Sequence, residues 1–435
     1  MAILALSIFL VVFGLIIWGV LDATVVSLTG AVLMVLTGIL SFDQAIESIQ
    51  FETLALLMAM MLLVEVAREA GIFSWLAVKI AKLSRGNPLF LFLLLTLTTA
   101  VVSSFLDNVT TVVLMIPITI ELVKGMGRDA RPYVMGEILF SNLGGAVTLI
   151  GDSSNIIIGG ASGLSFNSFL INLGPPVLVA IVLITLGMVA THWKNHLKPI
   201  SSDLNKLFLT HILMRKIEYK FLKLSLNRSF MLKCAFGMML TMLGFIFQHQ
   251  LGLSVATVAL TGALIVLLIA AREVDVHASL RSVEWSTLLF FAGLFVMVDG
   301  LQRAGLLDYL ANFILSIGQG NYLVLLLVIV WVTGFISMLL NTVPFVTLMV
   351  PIILQIQTQI PLDADPNLLW WALSLGACLG GNATVIGSSA NVVGVGVARK
   401  EGVPISFFGF LKYGLPMTLF SLSVASAYLT FRVLT

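Results

Sequence analysis

Charge is scarce in this chain. Only 10% of its 435 residues are Asp, Glu, Lys or Arg, while 59% are hydrophobic and the mean hydropathy is +1.09. A soluble protein of this length needs far more polar surface to cover its core, so a soluble globular fold is excluded. Cysteine is nearly absent as well: Cys234 and Cys378 are too few and too dispersed for a disulfide framework or a zinc site. The five histidines, at 192, 196, 211, 249 and 277, show no ligand spacing such as HExxH, which argues against a catalytic metal. No credible nucleophile triad is visible, so the chain does not read as an enzyme. The net charge of +2 points to no partner by itself, and no nucleic-acid partner is expected. The apolar start AILALSIFLVVFGLIIWG has neither a basic leader nor a small-residue cleavage site, so no cleavable signal peptide is expected.

What the chain has in abundance is apolar windows of about 18 residues or more, each long enough to cross a bilayer as a helix. The expected fold is an all-α polytopic membrane protein with the lipid bilayer as its main partner. Spans are expected near 2–20, 23–40, 51–67, 133–157 and 172–193. A second set follows near 234–249, 251–271, 286–304, 370–394 and 408–431. Two pairs of apolar arms, 88–104 with 109–123 and 321–340 with 343–358, interrupt the series. Between the halves lies a basic stretch, 194–233, with nine Lys or Arg against Asp203 and Glu218. Such a linker is expected to be cytoplasmic, in a multi-pass protein of the cell membrane. If the arms form re-entrant hairpins, each half crosses five times and the halves are inverted. Lys79, Lys82, Arg85, Lys124, Arg128, Arg131, Arg272, Arg281, Arg399 and Lys400 then fall on the inner side, and the outer loops SFDQAIESIQ and PLDADPN carry no Lys or Arg.

The halves also match in sequence. LTGAVLMVL (28–36) recurs as LTGALIVLL (260–268), and FLDNVTTVVLMIPI (105–118) as LLNTVPFVTLMVPI (339–352). LGGAVTLIGDSSN (143–155) recurs as LGGNATVIGSSAN (379–391), and FETLALLMAMMLLVEVAREAG (51–71) aligns with WSTLLFFAGLFVMVDGLQRAG (285–305). Inverted repeats with interrupted helices and a midplane site are the usual architecture of secondary transporters. The expected division is a first repeat, 1–193, with scaffold 1–86 and transport elements 87–193. The linker 194–233 leads to a second repeat, 234–435, with scaffold 234–320 and transport elements 321–435.

GGAVTLIGDSSN lacks GxxxxGK[ST] and sits inside an apolar span, so it is no phosphate loop. Close packing through small residues is one reading; a helix unwound near Gly151 is the other, and unwound backbone at membrane depth must line a cavity or bind something. Asp107 aligns with Asn341 and Asp152 with Ser388, so both acids belong to the first half. Acids inside membranes are costly and mark ion pathways. Two carboxylates in one apolar pocket repel when both are ionised, and a bound proton or Na⁺ relieves this. The bland alternative is that each acid caps a helix start. The expected coupling site is Asp107, Asn108, Gly151, Asp152 and Ser153. Substrate contacts are expected from Thr111, Thr148, Asn155, Asn341, Thr342, Asn382, Thr384, Ser388, Ser389 and Asn391. No metal or cofactor is expected beyond Na⁺ or H⁺ at Asp107, Asn108 and Asp152. Glu65 with Asp299 read as structural, in interfacial or dimer contacts, and Glu121 with Glu137 as surface pairs near Lys124 and Arg128. Cys378 reads as a small core residue ahead of a thiolate ligand.

The paired motifs FLDNVTT with GGAVTLIGDSSN, and LLNTVPF with GGNATVIGSSAN, resemble the ion transporter superfamily. The branch in question holds arsenite exporters (ArsB), sodium/proton antiporters (NhaD) and the P protein. The resemblance covers essentially the whole chain. It implies a secondary transporter, not an enzyme, with an elevator-type transport domain in a homodimer, and for the arsenite group a soluble ATPase partner. The superfamily's dicarboxylate carriers place Ser-Asn-Thr at the hairpin tips, where this chain has Asp107-Asn108-Val109 and Asn341-Thr342-Val343. No Lys or Arg falls in the expected binding elements, which argues against a dianionic substrate. The first expectation is proton-coupled export of arsenite, antimonite or a similar small inorganic species. Na⁺/H⁺ antiport is the second; a sodium-coupled carboxylate or anion symporter and a passive channel stay open.

Overall fold

The computed structural model describes residues 1–18, 21–192, 197, 228–318, 320–360 and 364–435. Most of the basic linker therefore lies outside the described residues, and its cytoplasmic placement with it. Among the described residues all regular structure is helical. The first half runs α1 (Ala2–Trp18), α2 (Ala23–Leu36), α3 (Phe42–Glu47), α4 (Phe51–Glu69), α5 (Ile72–Ser84), α6 (Pro88–Ser103), α7 (Asn108–Gly125), α8 (Arg131–Gly145), α9 (Ser153–Ser162) and α10 (Phe166–His192). The second half runs α11 (Arg228–Leu251), α12 (Val255–Ala270), α13 (Val276–Arg281), α14 (Trp285–Arg303), α15 (Leu306–Gly318), α16 (Tyr322–Leu339), α17 (Thr342–Gln357), α18 (Asn367–Gly380), α19 (Ser389–Lys400) and α20 (Phe407–Leu434). Each helix of the first half has a counterpart ten places later.

Local signals explain the starts. The Asn87 side chain accepts from the amides of Leu89 and Phe90, with Pro88 as the first helical residue. Asn321 does the same for Leu323 and Val324 at the start of α16. A side-chain oxygen at the cap satisfies amides that the helix leaves open, and proline there loses no bond.

The halves do not fold side by side. α2 packs on α14 and α4 on α12, so the scaffold elements exchange partners, and α7 packs on α19 while α9 packs on α17. Within each half the hairpin arm lies along the interrupted helix, α6 on α8 and α16 on α18. Swapping elements in this way buries the polar breaks at the centre of the molecule, away from lipid.

Among the described residues six segments are long and apolar enough to cross a membrane: 108–125, 166–192, 228–251, 276–303, 322–339 and 407–434. The chain is an all-α multi-pass membrane protein. Two of these six, α7 and α16, are arms that the sequence reading treated as re-entrant; each has 18 residues, about 27 Å at 1.5 Å per residue. By contrast α2, expected to span 23–40, is a 14-residue helix that ends at Leu36.

Candidate functional site

Both interrupted helices unwind where the sequence places glycine, and a threonine staples each break. The Thr148 hydroxyl donates to the Ser104 carbonyl in the turn between α6 and α7, and accepts from the Gly151 amide at 3.2 Å. Thr384 repeats this on the Met338 carbonyl and the Gly387 amide. Glycine is required because the hairpin backbone comes so close: a Cβ on Gly151 would lie 2.6 Å from the Ser103 carbonyl oxygen and 2.8 Å from Gly145 Cα. Those are backbone atoms with no room to yield. Gly151→Ala should therefore cost about 1–3 kcal/mol, as overpacking does, seen as a lowered thermal midpoint of the purified protein in detergent.

The two acids start the helices that follow the turn and the break. Asp107, half-buried, caps α7 by accepting from the Thr110 amide at 3.0 Å. Asp152, 9% exposed, caps α9 by accepting from the Ser154 amide at 2.8 Å. Both carboxylates thus serve as helix caps, the bland alternative weighed from sequence. Asn108 links them to the interior, since its amide donates to Asp152 Oδ2 at 2.9 Å and to Asn142 Oδ1 at 3.1 Å.

Asn142, which the sequence reading did not single out, is the centre of the network. Its amide nitrogen donates to Asn382 Oδ1 and Asn391 Oδ1, both at 2.7 Å, and its oxygen also accepts from Ser388 Oγ at 3.0 Å. One side chain therefore joins the two half-sites. The signal was present: an asparagine in an otherwise apolar span, aligned with Cys378 in the second half. Cys378 takes the corresponding place, its thiol 3.7 Å from Asn155 Oδ1.

A cavity of about 790 Å³ opens in front of this network. Asp107, Asn108, Asp152, Ser153, Asn341, Thr342, Ser388 and Ser389 line it from the hairpins and breaks. Its other wall comes from α1, α2, α4 and the start of α14, bringing Asp22, Glu65, Arg68 and Glu284. The cavity thus carries five acids against one base, and the base is taken: Arg68 pairs with Glu65 at 2.6 Å. These wall charges belong to segments far away in sequence, so no local motif announced them. The expectation of a site without Lys or Arg holds for the hairpins and breaks but not for the cavity as a whole.

Thr111, Thr148, Asn155, Asn382, Thr384, Asn391 and Gly151 do not line the cavity. Their polar groups are spent inside the protein. The Asn155 amide holds the carbonyls of Ala146 and Thr148, and the Asn391 amide those of Gly381 and Thr384. Thr111 donates to the Asp107 carbonyl, and Asn382 reaches the Leu139 carbonyl at 3.3 Å. Thr148, Asn155, Thr384 and Asn391 thus satisfy backbone groups of the two breaks.

Glu65 and Asp299 each pair with an arginine on their own helix, Arg68 and Arg303, which agrees with a structural role. One further expectation is corrected. Glu137 is no surface group: it is fully buried, and Lys124 instead donates to the Glu401 carbonyl at 2.6 Å.

Comparison with known proteins decides the family. The family model described as "Citrate transporter" (CitMHS) matches residues 13–376. The chain belongs to this family. The mycobacterial relatives align with it over nearly their full length. A 46 kDa membrane protein of Mycobacterium leprae is 35% identical across 100% of this chain and 99% of its own. An uncharacterized transporter of Mycobacterium tuberculosis is 36% identical over 99% of each. The human P protein is 33% identical over 96% of this chain, which spans 58% of that longer protein. Among solved structures, the Alcanivorax borkumensis YdaH transporter matches with a TM-score of 0.62 at 17% identity, covering 90% of this chain and 88% of that one. The family member is accordingly a membrane transporter rather than an enzyme, and its helical fold is that of a known transporter with an unusual topology.

Proposed function

We propose that the chain is a cation-coupled secondary transporter that works by alternating access, with Asp107, Asn108 and Asp152 as the coupling site for H⁺ or Na⁺. The observation that carries this reading is the charge of the cavity: five acids and a single, already paired arginine. A low-dielectric cleft of one sign concentrates ions of the other, so a cation is favoured and an uncompensated polyanion is opposed. Na⁺/H⁺ exchange fits best. Export of arsenite, a neutral hydroxylated acid at neutral pH, is the second reading. It is supported by the uncharged hydrogen-bonding groups of Asn108, Asn341, Thr342 and Ser389 in the cavity, but Thr148, Asn382 and Thr384, counted toward that substrate from sequence, are occupied elsewhere. The thiol of Cys378, buried against Asn155, is outside the cavity too. Citrate, the substrate in the family's name, needs bound cations to neutralise these acids before it can enter.

The cavity separates the elements assigned to the scaffold, within 1–86 and 234–320, from those assigned to transport, within 87–193 and 321–435. This supports a transport bundle that moves against a fixed frame; the inverted halves are proposed from the repeat and the loop charges, and a dimeric frame and a soluble ATPase partner from the family resemblance alone. The test uses purified protein in liposomes enclosing a pH-sensitive dye. Under an imposed pH gradient, Na⁺, Li⁺, arsenite and citrate are added in turn. Proton flux on Na⁺ or Li⁺ alone is the expected result. Flux on arsenite alone overturns cation exchange in favour of the exporter, and solute flux that has no fixed stoichiometry and persists after the proton gradient is collapsed indicates a channel.

A further inference from the structure

A further carboxyl lies beneath this site and takes no part in it. Glu137 sits on α8, five residues before Asn142, or about 7.5 Å along the helix. It is 0% exposed. The Thr119 hydroxyl donates to its Oε1 at 2.5 Å, while Oε2 is buried with no hydrogen-bond partner. The hydroxyl of Thr99 on α6, which also faces Glu137, is unpartnered as well.

The helices packed on α8 are α6, α7, α10, α18 and α19, and they bring no charge to this acid. On α7, Glu121 and Lys124 are engaged elsewhere. On α19, Arg399 and Lys400 are exposed at its end, and α6 and α18 carry no ionisable side chain but Cys378. On α8 itself Arg131 pairs with Asp129 at 2.7 Å and the Tyr133 hydroxyl donates to the Pro88 carbonyl. His192, at the far end of α10, is the remaining titratable side chain of that helix.

An ionised carboxylate without a counter-charge costs several kcal/mol in such surroundings, whereas a neutral carboxylic acid places an O–H where a donor is missing. Thr99 Oγ1 is then the acceptor for Oε2–H, and Thr119 remains the donor to Oε1. The second half shows that packing does not demand the acid. By the repeat spacing of 236 and 234 residues, Glu137 and Thr119 correspond to Leu373 and Ile353, and both are 0% exposed. An apolar pair fills the equivalent place.

We propose that Glu137, held between Thr119 and Thr99, is a proton-binding site of the transport elements, separate from the cation site at Asp107 and Asp152. The direct test is the infrared C=O stretch of a protonated carboxylic acid, recorded on the full-length protein in lipid at neutral pH. The expected result is a band present in the unmodified protein, in Asp107→Asn and in Asp152→Asn, and lost in Glu137→Gln. Its survival in the two aspartate variants makes it independent of where the coupling cation binds. Should Glu137→Gln fail to fold, Glu137→Leu with Thr119→Ile copies the second half and must lose the same band. Identical bands with and without Glu137 overturn the proposal. A functional readout rests on the transporter reading: the alkaline fall in transport rate, caused by ionisation of Glu137, should be absent in Glu137→Gln, and an unshifted fall overturns this role for the site.

Discussion

Exchanging Asp107 for asparagine should reduce the apparent affinity for the coupling cation by about 10- to 100-fold and leave the fold intact. Both halves of this expectation come from the second hairpin. Asn341 occupies the equivalent place and caps its own helix by accepting from the Val343 amide at 3.3 Å, and asparagine is as good a cap as aspartate. The start of α7 should therefore survive. What disappears is a negative charge at the wall of the cavity. Interactions with a charged group contribute about 1.5–3 kcal/mol, and 1.4 kcal/mol is tenfold in an equilibrium constant. The measurement is proton flux against Na⁺ concentration in liposomes, with thermal unfolding as the control. Unchanged affinity in a folded variant would reduce Asp107 to a helix cap and move the coupling site to Asp152.

Asn142→Ala should have the larger effect on stability. Four hydrogen bonds meet on this side chain, from or to Asn108, Asn382, Asn391 and Ser388. Interhelical bonds in membrane proteins average about 0.6 kcal/mol and reach about 1.7 kcal/mol, and a stranded buried polar group costs about 1–3 kcal/mol. A loss on the order of 3 kcal/mol follows, with the half-sites no longer tied to each other. Asn142→Asp should be worse at high pH than at low pH. An ionised aspartate has no proton to donate to Asn391 Oδ1, and that amide cannot turn round because its nitrogen already holds Gly381 and Thr384 carbonyls. Thermal midpoints in detergent across a pH series would show both effects; a midpoint equal to that of the unmodified chain would remove Asn142 from the centre of the network.

The acidic cavity explains why the departures from the dicarboxylate pattern at the hairpin tips matter. Asp107 stands where a small neutral group would leave room for an anion, and Glu284 across the cavity adds charge of the same sign. Sequence comparison within the chain revealed the first of these, because Asp107 and Asn341 can be aligned. It could not reveal the second. Glu284 begins a helix more than a hundred residues away, and nothing in its neighbourhood marks it as facing a cleft.

Composition and periodicity determined that the chain is a helical membrane protein, because a bilayer rewards long apolar segments whatever their order. The repeat determined that it is built twice, since matching segments at nearly constant spacing fold to matching helices: α6, α7, α8 and α9 recur as α16, α17, α18 and α19. The same repeat pointed to Asp107 and Asp152. Only the tertiary structure decided which polar residues face the cavity and which hold the breaks. Thr148 and Asn155 look as available as Ser153 in the sequence, but unwinding leaves carbonyls and amides that must be satisfied at membrane depth, and the nearest side chains are drawn to them. It also decided that Asn142 joins the halves and that Glu137 is buried rather than paired at the surface, because each outcome depends on helices that meet across distances in the chain that no local pattern records.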